Sequence, residues 1–108
     1  MSYNIGSYNL MSYNRGSSLV DTVNQLSKDN PELGKKVKEI VAPVLDMERS
    51  ISPDTLVTAK QQETLNGVIE QIIELSPGVA IPKIIKEMSI EAWLVIIFGL
   101  IQIMMANN

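Results

Sequence analysis

Carboxylates are the side chains of this sequence whose spacing comes nearest to doing chemistry. Asp46 with Glu48, Glu70 with Glu74, and Glu87 with Glu91 form three close pairs. Four-residue spacing puts Glu70 and Glu74 on one face of a helix, as a carboxylate-held cation would require. Without histidine, such a site needs several more convergent oxygens, so a solvated helix face is the simpler reading. The chain has no histidine and no cysteine. That removes the commonest general base and metal ligand, any thiolate nucleophile and every disulfide. Gly6, Gly16, Gly34, Gly67, Gly78 and Gly99 stand singly and build no phosphate-cradling loop. Lys35, Lys36 and Lys38 make the only basic cluster. Glu32 and Glu39 stand close by, which reads as a soluble face rather than a contact with anionic membrane. The net charge of −3 argues against nucleic acid, whose binders carry a basic face. These residues point to no enzyme, no cofactor and no metal, so assembly becomes the question.

The elements that would position any site are helical. Ser17 or Ser18 can cap a first helix in which Leu19, Val20, Val23 and Leu26 recur at helical spacing, ending near Asp29. Asn30-Pro31 restarts the chain, with Asn as cap and Pro at the first helical position. Leu33, Val37, Ile40, Val41, Val44 and Leu45 then form one apolar stripe, which Pro43 should kink or break. Ser52-Pro53-Asp54 repeats the cap-then-proline pattern and is expected to open a third helix. Leu65, Val68, Ile69, Ile72 and Ile73 give it the strongest amphipathic signal in the chain. Ser76-Pro77-Gly78 closes it. After Ile81-Pro82 a short turn or helix is expected to carry Ile84, Ile85 and Met88, and Ser89 caps the last helix. No run alternates as a strand does. The fold class is all-α: a small bundle of three to five helices over residues 18–108, preceded by a flexible polar leader over residues 1–17.

Residues 92–108 contain no charged side chain, and nearly every residue from Ala92 to Ala106 is apolar. A helix greasy on all sides cannot stand in water beside a small domain. Three coverings are open. It can be the central helix of a bundle, wrapped by the amphipathic stripes before it. It can enter a membrane, although its fifteen apolar-rich residues reach only about 22 Å at roughly 1.5 Å each, against a hydrocarbon core of about 30 Å. Gln102 within it and the lack of basic flanks also count against a single span. Or it can be buried against a partner chain or a chaperone, since exposed apolar patches of that size mark interaction sites. Trp93, Leu94, Ile97, Leu100, Ile101 and Met104 share one face and are the expected contact surface. Met88, Met104 and Met105 supply flexible thioethers, which suit core filling or adaptable contacts.

The N-terminus has neither the basic nor the apolar region of a secretory signal peptide. Instead Ser-Tyr-Asn recurs at Ser2, Ser7 and Ser12, five residues apart, and the first charge is Arg15. The stretch Leu94–Asn108, with Ile101-Gln102 followed by Ala106-Asn107-Asn108, resembles the hydrophobic helix near the N-terminus of the EspA/SseB-type proteins. Those are the secreted filament and translocator components of bacterial type III secretion systems. A charge-free Ser/Asn-rich leader is similar to the uncleaved signals of that route. In that family a long coiled-coil region follows the helix, which this sequence does not carry. The resemblance implies export by a type III apparatus, a cytoplasmic chaperone over the apolar helix, and self-association after export. The resulting expectation is a non-enzymatic, secretion-linked protein that binds itself or a protein partner through its last helix. A small membrane-active protein and a compact monomeric adaptor or effector are the alternatives.

Overall fold

The computed structural model describes residues 18–76 and 78–106, and among them the protein is all-α. The polar leader over residues 1–17, Ser17 as a cap, Pro77 and Asn107-Asn108 lie outside the described residues. Four helices follow in order: α1 (Ser18–Asp29), α2 (Pro31–Ser50), α3 (Ala59–Glu74) and α4 (Ile90–Ala106). Both α2 and α4 approach all three other helices, whereas α1 and α3 do not come close to each other. One core results. It takes Leu19, Val23 and Leu26 from α1, and Val37, Val41 and Val44 from α2. Leu65, Val68, Ile69 and Ile72 come from α3, and the inner side of α4 completes it.

The α1–α2 corner is built by Asn30 and Pro31. The Asn30 side chain accepts a hydrogen bond from the Leu33 N–H at 3.2 Å, while its own N–H donates to the Leu26 carbonyl at 2.7 Å. Proline at the next position lacks only a donor that the first turn leaves unpaired anyway. Just beyond, Gly34 is buried against Ser27, and a Cβ there would overlap the Ser27 Cα and Oγ. The Ser27 hydroxyl is already turned onto the Val23 carbonyl, 3.0 Å away. The absence of a side chain at Gly34 is what sets how closely the two helices cross.

Three expectations need correction. Of the kink or break expected at Pro43, the break does not occur: α2 runs unbroken to Ser50. Proline costs about 3 kcal/mol inside a helix through its missing N–H and its clash with the carbonyl four residues back. Here that carbonyl belongs to Glu39, and both Glu39 and Pro43 face solvent, so water can serve it. Val37, Val41 and Val44, each 0 % exposed, hold the opposite side in the core. Second, Ser52-Pro53-Asp54 forms a turn and not a helix start, with the Thr55 N–H donating to the Ser52 carbonyl at 3.0 Å. The third helix begins at Ala59, behind a Thr58 capping box. Thr58 Oγ1 accepts from the Gln61 N–H at 3.1 Å, and Gln61 Oε1 accepts from the Thr58 N–H at 2.8 Å.

Third, the segment after Pro82 is neither a turn nor a helix. Residues 79–88 form a non-helical strap, entered through Gly78 at φ 89°, a left-handed conformation that suits glycine. Ile84 is half-buried in the strap, Met88 is half-buried, and Ile85 is 83 % exposed. The strap ends in an isolated antiparallel bridge between Leu56 and Ser89.

The two glycines of α2 and α3 make opposite predictions. Nothing lies within 4 Å of a Cβ built on Gly67, unlike Gly34. In urea denaturation Gly34→Ala should lose about 1–3 kcal/mol by overpacking. Gly67→Ala should gain about 0.5–1 kcal/mol of helix stability. Equal signs for the two would contradict the packing described.

Candidate interaction surface

Helix α4 is fixed at its start by acceptors from elsewhere in the chain. Its first N–H groups have no partners within the helix. Ile90 N–H donates to the Thr55 carbonyl at 2.9 Å, Glu91 N–H to the Pro53 carbonyl at 3.4 Å, and Ala92 N–H to Ser89 Oγ at 3.3 Å. The Ser89 cap expected from sequence is present. The turn at Pro53 and the bridge at Leu56 therefore serve to dock α4.

The six residues expected to form a contact surface all face the chain's own core. Trp93, Leu94, Ile97, Ile101 and Met104 are 0 % exposed and Leu100 is 4 % exposed. Ile90 and Phe98 complete the inner side. A partner could reach these six only by drawing α4 out of the bundle. Burying the Trp93 ring leaves its Nε1–H without a hydrogen-bond partner.

The outer side of α4 is a different surface. Ala92, Val95 and Gly99 are half-buried, Ala106 is exposed and Ile103 is 47 % exposed. A Cβ on Gly99 would meet nothing within 4 Å, so that position faces open space. At 100° per residue these five positions fall within a stripe about 80° wide. Beside it, Gln102 and Met105 line a shallow groove of about 400 Å³ with Asp21, Thr22 and Gln25 of α1.

The other chemistry-bearing residues do not converge. No group of three or more acidic residues among the described residues could hold a metal ion. Glu70 and Glu74 are exposed, and Asp46 pairs with Arg49 at 2.6 Å on the surface. Glu48, although next to that pair in sequence, is buried at the other side of α2. Lys35, Lys36 and Lys38 are exposed, as a soluble face requires. No helix among the described residues is long and apolar enough to cross a membrane.

One structural residue was not singled out by its sequence pattern. Asn66, buried in α3, grips the main chain of the strap from both sides. Its Nδ2 donates to the Ile84 carbonyl at 2.7 Å and its Oδ1 accepts from the Ile84 N–H at 3.0 Å. Gln62 Nε2 donates to the same carbonyl at 2.9 Å. An amide between Leu65 and Val68, on the apolar stripe, was the available signal. Buried amides persist where they are fully bonded.

No protein-family model, no curated protein and no solved structure matches the chain.

Two substitutions test these placements. Ile97→Asp would put a carboxylate at a fully buried site, so the helical circular dichroism of the whole bundle should collapse, α1 to α3 included. Asn66→Ala leaves the Ile84 N–H unpaired and weakens the bonding of its carbonyl, a loss of about 1–3 kcal/mol. Hydrogen exchange should show the Ile84 amide losing protection while α2 keeps its own.

Proposed function

We propose that this protein is non-enzymatic and acts by association, with α4 as its interaction element. The observation that carries the reading is the outer side of that helix. Its inner side already supplies the core, yet the side facing away from the core is also apolar and carries no charge from Ala92 to Ala106. Between Ala92 and Ala106 that side carries one polar residue, Gln102 at its edge, where α2 puts Lys35, Lys36, Lys38 and Glu39 on its own outer side. Uncharged apolar surface next to solvent marks a place where something binds.

The reading extends to secretion. The Ser-Tyr-Asn leader and the similarity of Leu94–Asn108 to EspA/SseB-type helices support export by a type III apparatus, without a cleaved signal. In that setting the two sides of α4 would serve in turn. Before folding, Trp93, Leu94, Ile97, Leu100, Ile101 and Met104 are the apolar residues a cytoplasmic secretion chaperone would hold. After folding they enter the core, and the outer stripe is left for the protein itself or a partner.

Light scattering after size exclusion tests the association. At high concentration the full chain should form species heavier than its 12.0 kDa monomer, with no flotation on phosphatidylcholine vesicles. A strict monomer indifferent to lipid would overturn the reading in favour of a monomeric adaptor or effector. Flotation with the vesicles would overturn it in favour of a membrane-active protein.

A further inference from the structure

Five positions on the outer side of α4 are ordered symmetrically by size about Gly99, whereas the flanking Ile96 and Gln102, three residues on either side, do not match. Ala92 and Ala106 lie seven residues on either side, and Val95 and Ile103 lie four on either side. Small residues occupy the ends and the centre, with branched ones between. From this we infer that the partner of the stripe is a second copy of the same chain, its α4 packed antiparallel across a two-fold axis at Gly99. The inference rests on the association reading above and names its partner and geometry.

Three observations select that occupant. A two-fold interface is isologous, so residue i meets j while j meets i. An antiparallel pair centred on Gly99 does this: Val95 meets Ile103, Ile103 meets Val95, and each Ala92 meets an Ala106. The second is Gly99 itself. Nothing in the monomer approaches the position, as is also true of Gly67, but only Gly99 lies at the centre of an apolar stripe. A notch without a side chain lets two helix backbones come close at the axis. The third is charge. Glu91 is the only ionisable residue of α4, at its first turn. Antiparallel copies hold their Glu91 carboxylates about 24 Å apart along the axis, taking roughly 1.5 Å per residue over sixteen residues. That is well beyond the Debye length of about 8 Å at physiological salt. Parallel copies would set them side by side. Helix α4 itself carries no Lys or Arg, so it offers an anionic partner no cation of its own.

The pair is small. One helix face of about 25 Å length falls short of the roughly 800 Å² per partner of a standard stable interface. The dimer should therefore dissociate on dilution, with Kd in the micromolar range or weaker.

Because the chain has no cysteine, single thiols report the geometry directly. In the full chain, air oxidation of Gly99→Cys should give a disulfide-linked dimer. A mixture of Val95→Cys and Ile103→Cys chains should give the mixed dimer in excess over either homodimer. Gly99→Leu, whose side chain has open space in the monomer, should raise Kd at least tenfold without lowering the melting temperature. Cross-linking of Ile103→Cys to itself in preference to Val95→Cys would indicate parallel pairing and overturn the inference. If light scattering shows oligomers but Gly99→Cys does not cross-link and Gly99→Leu does not dissociate them, this interface is wrong while association stands. If no oligomer forms at any concentration, both readings fall.

Discussion

Burial of one side of α4 fills the core that the four helices share. Helices α1 and α3 do not come close to each other, and α2 and α4 each lie against both. The side chains α4 inserts are large: Trp93, Leu94, Ile97, Ile101 and Met104 are fully buried. Removing a buried side chain of this size costs on the order of 2–5 kcal/mol, a large part of the stability of a small domain. The long-range hydrogen bonds follow the same logic. Thr55, Pro53 and Ser89 satisfy the first amides of α4, and Asn66 ties down the strap that delivers the chain to Ser89.

On the proposed reading, the apolar helix has two separate tasks. Its inner side does the work of folding, and a charge placed there unfolds the protein before it can inform on binding. Its outer side has open space at Gly99 and carries no charge from Ala92 to Ala106. An uncharged apolar stripe beside solvent is the feature on which the proposed association rests. The weakly sized stripe suits a contact that forms at high local concentration and releases on dilution.

Much of the fold was legible in the sequence because its signals are local. The Asn30-Pro31 corner, the Ser89 cap, and the Leu65–Ile73 stripe each depend on residues within a turn or two of one another. The features that were not legible depend on distant partners. Whether Pro43 is tolerated depends on which side of α2 the core takes. Thr58 prevails over Ser52 as a helix start because residues 55–57 are held extended beside residues 88–90, a pairing across more than thirty positions. At Ile84 in the strap, Asn66 occupies both main-chain hydrogen-bonding groups, from eighteen positions away. For α4 the limit is different. A helix apolar all round has no polar face to mark its outside, so periodicity could group Trp93, Ile97, Ile101 and Met104 without saying whether they face a partner or the core.

Emission from Trp93, the only tryptophan, tests the central claim most directly. The ring lies on the inner side of α4 and is fully buried by the chain itself. Its fluorescence should be blue-shifted, resistant to iodide quenching, and unchanged when the protein is diluted from associated to monomeric. A red shift and quenching on dilution would show that another molecule, and not the chain's own helices, keeps that side dry.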